Sequence, residues 1–124
     1  MFAPLLQVAL GGALGASARY LAGIAATRAF GRDLPWGTFL VNVAGSFLMG
    51  VLIAVLARRG GTAAVPFLAV GVLGGFTTFS TFALDAVTLW ERGQAGHALA
   101  YVLGSVILSI LALFAGLTLA RAVA

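Results

Sequence analysis

Four apolar runs follow one another along this chain, joined only by short links that carry arginines. A hydrocarbon core of about 30 Å takes roughly 20 helical residues to cross. A backbone in lipid must satisfy its own hydrogen bonds, which leaves helices as the spanning form for runs of this length. The expected spans are residues 4–27, 36–57, 66–90 and 97–119. Together they make one four-helix transmembrane domain over residues 1–124. Only 8% of the residues are charged, against about 25% in a soluble domain. The first run lacks the basic start of a secretory signal, so it reads as the first transmembrane helix.

The links supply the punctuation. Arg28, Arg32 and Asp33 sit between the first two runs, and Pro35 suits a first helical turn. Trp36 and Trp90 fall at run ends, where amphipathic rings prefer the interface. Short links predict antiparallel packing of neighbouring helices. Arg58, Arg59 and Arg121 lie on one side of the membrane, and Arg28, Arg32 and Arg92 on the other. This balance gives the positive-inside rule almost nothing to act on. A chain without a preferred orientation can insert both ways, and two opposed copies can pair about an axis in the membrane plane. Many transporters reach that geometry with inverted repeats. No internal repeat is visible here, so a second chain would supply the symmetry. The absence of cysteine excludes disulfides and thiolate metal sites.

Three spans carry a polar stripe at helical spacing. In the first, Gly11, Gly15, Arg19 and Gly23 recur every four residues. The glycines suit close helix crossing. Arg19 is different, because an arginine at mid-helix costs about 2.5–3.5 kcal/mol on insertion scales and calls for protein, water or an anion. In the second, Thr38, Asn42 and Ser46 share a face; Asn42 reads either as an interhelical hydrogen bond or as a donor on a permeation path. In the fourth, Tyr101, Ser105 and Ser109 repeat the pattern.

The third run departs most from a plain membrane helix. Its centre reads GVLGGFTTFSTFALD, Gly71 to Asp85. Adjacent Gly74 and Gly75, followed by β-branched Thr77 and Thr78, make a weak point where the helix is expected to break. A break frees carbonyls, which suit a hard cation, and creates a half-helix N-terminus, which favours anions. Phe76, Phe79 and Phe82 fall three apart among the hydroxyls. The positive edges of such rings attract a small anion without a formal charge.

The string GGFTTFSTFALD resembles the Fluc (CrcB-type) fluoride channels. So do the asparagine of WGTFLVNVAGSFLMG, the arginine of GALGASARY and the Tyr-Ser-Ser face of the last span. The resemblance covers essentially the whole chain. It implies an all-α, dual-topology antiparallel homodimer in the inner membrane with two antiparallel pores for passive fluoride export. It further implies a structural sodium ion, Na+, on the backbone carbonyls of Gly74 and Thr77. Phe79 and Phe82 match the ring pair at the pores, Asn42 the path-facing asparagine, and Arg19 a basic vestibule residue. Tyr101, Ser105 and Ser109 match the polar track of the fourth span. Ser80 and Thr81 match hydroxyls near the ion and the path. Ala83 and Asp85 depart from the serine and glutamate often found at these places in the family. The shorter acid puts in doubt a role that needs a carboxylate to swing toward a pore.

Two alternatives stand beside this reading. A small proton-coupled multidrug exporter needs an acid in its first span, and there is none here. A non-transporting assembly subunit would account for packing stripes but not for donor-rich faces on three spans. Catalysis is not expected: the single histidine, His97, sits at an interface with no nucleophile–base pair beside it.

Overall fold

Residues 2–123 are described by the computed structural model, and among them none lies in a strand. α1 spans Phe2–Phe30 and α2 spans Trp36–Arg59. α3 starts as a wide π-type coil over Val65–Leu73 and closes with an α-turn over Gly74–Phe76. Beyond Thr77 and Thr78, α4 runs over Phe79–Glu91 and α5 over Ala95–Val123. α1, α2, the α3–α4 pair and α5 are each long and apolar enough to cross a membrane. The chain is therefore a multi-pass, all-α membrane protein. Its helices run a few residues past the expected spans, because helical pairing continues into the interface. α2 stops at Gly60, whose φ of 66° is the left-handed cap that glycine adopts without strain.

The closest partners are not neighbours in sequence. α2 packs along α5, and α1 packs along α3. With successive spans alternating in direction, both are parallel pairs; the antiparallel contacts that the short links predict are present but thinner. Glycines decide this. A Cβ at Gly50 would fall on the Leu113 carbonyl, and one at Gly116 on the Phe47 carbonyl. Gly71 packs its backbone against Gly11, where a Cβ would come within 2.9 Å of the Gly11 Cα. In lipid no hydrophobic force drives helices together, so close backbone approach through small residues selects the partners.

The third span breaks at Thr77 (φ −90°, ψ 159°) and Thr78 (φ −153°, ψ 123°), both extended. Gly74 and Gly75 stay helical. Gly75 lies against α1, where a Cβ would come within 2.8 Å of the Gly12 carbonyl, so packing holds the glycines in register. The break passes to the threonines, whose branched side chains favour extended backbone. Beside it, Phe82, Leu89, Ala98 and Tyr101 form a small buried core between α4 and α5, with Phe39 of α2 against it.

Candidate functional site

Everything around the break is organised by hydrogen bonds that replace helical ones. Asn42 of α2 donates from Nδ2 to the Thr78 carbonyl at 3.0 Å and accepts the Thr78 N–H on Oδ1 at 2.8 Å. Thr78 caps α4, its Oγ1 accepting the Thr81 N–H at 3.2 Å. The Thr77 N–H and hydroxyl both donate to the Leu73 carbonyl, closing α3. Arg19 of α1 donates from Nε to the Gly75 carbonyl at 3.0 Å. Gly45 of α2 leaves room for the Thr77 methyl, on which a Cβ would collide.

Among the carbonyls that these bonds leave without their ordinary donors are those of Gly74 and Thr77. A continuous α-helix would pair the Gly74 carbonyl with the Thr78 N–H, and the Thr77 carbonyl with the Thr81 N–H. Both N–H groups are diverted, the first to Asn42 and the second to the Thr78 hydroxyl. Gly74 is also exposed. Neutral carbonyl oxygens at an accessible break match the preference of a hard monovalent cation. Among the described residues no three His, Cys, Asp or Glu side chains gather, so a cation here would rest on backbone oxygens.

Thr78 lines two cavities. A vestibule of about 740 Å³ is lined by Arg19, Arg28, Arg32 and Arg92, with Asp33 and Asp85 as its carboxylates, and reaches Thr78 and Thr81. A groove of about 300 Å³ also includes Thr78, and its lining carries no charged side chain. Asn42, Phe79, Phe82, Ser105 and Ser109 share that groove, together with Ser46. Phe79 is 78% exposed, so one wall stands open, whereas Phe82 is only 8% exposed. Their ring centroids lie 5.4 Å apart, and the Tyr101 ring follows Phe82 at 5.3 Å, making a three-ring ladder. Ser105 is 4% exposed and its Oγ has no hydrogen-bond partner, so a donor is held unspent in the groove wall.

The remaining expected residues lie nearby, outside the lining of the groove. Tyr101 donates its O–H to Asp85 Oδ2 at 3.0 Å and borders a separate cleft with Trp36 and His97. Thr81 faces the vestibule rather than the groove. Ser80 is exposed and meets the Thr78 hydroxyl at 3.3 Å, outside both cavities. Arg19 and Asp85 line one vestibule but have separate partners, Gly75 and Tyr101. Thr78, which the sequence marks only as part of the weak point, lies in the lining of both cavities. Its signature was available: a threonine one residue before an apolar helical run is an N-cap signal.

Comparison with known proteins takes in nearly the whole chain. The family model described as CrcB-like protein, Camphor Resistance (CrcB), matches residues 6–117. A protein of Cereibacter sphaeroides named fluoride-specific ion channel FluC is 64% identical over 121 residues, 98% of this chain and 97% of its own. Proteins of the same name from Paracoccus denitrificans and Mesorhizobium japonicum are 60% and 55% identical over 116 and 118 residues. Those two alignments take in 94% of this chain each, and 93% and 95% of the respective relatives.

Proposed function

The chain belongs to the CrcB family, and on that premise we propose that it is a fluoride-selective channel that lets fluoride leave the cytoplasm passively. The observation that carries this reading is the position of Thr78, which lines both an arginine-rich vestibule and a groove of hydroxyls, one carboxamide and phenyl rings. Fluoride is small and strongly hydrated. A protein that passes it must exchange water for donors along the route and bind at no point too tightly. Arginines collect the anion outside. The uncharged groove then takes it over with the second Nδ2 hydrogen of Asn42, the free Ser105 hydroxyl and the ring edges of Phe79 and Phe82. The family's character as channels sets aside the exporter, the assembly subunit and any enzymatic role.

One copy leaves the groove open beside Phe79, so the working unit is an antiparallel homodimer in which a second, oppositely inserted copy closes it. The balance of three interfacial arginines on each side supports insertion both ways. The donor set at the break fits a sodium ion held by the carbonyls of Gly74 and Thr77 from both copies. Such an ion would lend positive potential to the two routes and tie the broken spans together. The inner membrane is the expected location.

The test is anion efflux from liposomes containing the purified protein. Fluoride should leave orders of magnitude faster than chloride, and equal rates for the two ions would sink the reading. Exchanging all sodium for a bulky organic cation should lower both flux and dimer stability.

A further inference from the structure

We propose that the mouth of the vestibule is a binding site for a phosphate-type oxyanion, and that its occupation closes the route to Thr78. The second half rests on the fluoride reading; the first does not. The space of about 740 Å³ is far more than a bare halide fills. Arg28 comes from the last turn of α1, Arg32 from the α1–α2 link and Arg92 from the residue after α4. Three separate elements thus bring guanidinium groups to one cavity, and Arg19 adds a fourth deeper in.

Guanidinium groups present paired N–H donors that match the oxygens of a phosphate. A halide accepts at one centre and gains little from that fork. Two carboxylates share the lining, and Asp85 already takes the Tyr101 O–H. The positive excess therefore stays with the mouth. Glu91 adjoins Arg92 in sequence but is absent from the lining.

The opposite end of the molecule also has three interfacial arginines, but they are arranged differently. Arg58, Arg59 and Arg121 line neither the vestibule nor the groove, and Arg58 spends a donor on the Arg121 carbonyl. A phosphate that settles in the mouth also meets a dead end. The groove beyond Thr78 offers no charge to compensate a multivalent ion for lost water. It would bind and block rather than pass. Free phosphate or pyrophosphate and the phosphate of an anionic lipid share this chemistry.

Calorimetry on the intact protein in zwitterionic phosphatidylcholine nanodiscs, titrated with inorganic pyrophosphate, tests the site directly. We expect saturable binding, weakened about tenfold for each guanidinium pair removed and lost in the triple variant Arg28→Gln, Arg32→Gln, Arg92→Gln. The double variant Arg58→Gln, Arg59→Gln should bind as the native chain does, which separates a built site from general positive charge. Nanodiscs containing phosphatidic acid form the second arm. Loss of the pyrophosphate signal there assigns the site to lipid phosphate, and an unchanged signal assigns it to the free ion. Fluoride efflux from liposomes should slow well beyond the screening effect of sodium chloride at equal ionic strength when pyrophosphate is added. Binding without any fluoride efflux would uphold the site and remove the channel reading. No saturable binding in either arm, equal binding by the triple variant, or slowing matched by plain salt would overturn the proposal.

Discussion

Asn42 holds Thr78 by both of its backbone groups, donating to the carbonyl at 3.0 Å and accepting the N–H at 2.8 Å. One side chain thus performs the pairing that the missing helical turn would have performed. The same contact places a threonine shared by the vestibule and the groove. Asn42→Leu should leave the N–H and carbonyl of half-buried Thr78 without their side-chain partner, costing about 1–3 kcal/mol. Fluoride efflux should fall to background. Asn42→Asp retains the acceptor but loses the donor and adds a negative charge to an anion route, so its efflux should fall as well. Normal efflux in the leucine variant would reduce Asn42 to a packing residue.

Phe79 and Phe82 belong to one ring ladder but differ in burial, and their variants should differ accordingly. Phe82 lies between Phe79 and Tyr101 in the small core. Phe82→Ile should lower thermal stability by about 1–2 kcal/mol and abolish efflux. Phe79 stands on the open side of the groove. Phe79→Ile should abolish efflux while leaving the helix content of each copy intact. Circular dichroism melts and liposome efflux on both variants check the split. Full efflux in both would remove the phenyl edges from the route.

The sequence made the spans legible because membrane thickness imposes a length on apolar runs that few other constraints can mimic. It made the polar stripes legible too, since a four-residue recurrence survives any packing. Which helices touch was a different matter. Loop length argues for neighbours, but the α2–α5 and α1–α3 crossings are chosen by glycine notches on both partners, such as Gly50 with Gly116. Complementarity of two notches far apart in the chain leaves no trace in either run alone. The break falls within the weak stretch that the sequence marks, at its threonines rather than at its glycines. Local propensity marks where a helix is weak, while contact with α1 decides which weak residues stay wound. The Asp85–Tyr101 bond was likewise invisible, because it joins two helices across a turn whose geometry no spacing rule predicts.

Those notches make their own forecast. Gly50→Ala and Gly116→Ala each drive a methyl into a facing carbonyl, and each should destabilise the fold by about 1–3 kcal/mol. Both should also reduce efflux, since α5 carries Ser105 and Ser109 and would be pushed away from Asn42. Gly96 has open space around it, so Gly96→Ala should change stability by no more than about 0.5 kcal/mol. Thermal melts of the three variants in one detergent make the comparison. Equal melting temperatures throughout would mean that α2 and α5 do not cross so closely.

Arg19 combines two duties that substitution can separate. Its Nε donates to the Gly75 carbonyl next to the break, and its charge lines the vestibule. Arg19→Leu removes both, whereas Arg19→Lys restores the charge without the planar fork. If the charge gathers anions, native efflux should fall as added salt shortens the Debye length to about 8–10 Å near physiological strength. The leucine variant should be slower at low salt and less sensitive to it, with Arg28, Arg32 and Arg92 keeping part of the dependence, and the lysine variant should recover the native slope. If the bond to Gly75 matters more, lysine and leucine should be equally slow at every ionic strength, with lowered melting temperatures in both. Efflux measured across a salt series, beside a melt for each variant, distinguishes the two duties. A leucine variant as fast as the native chain at low salt would remove Arg19 from the route altogether.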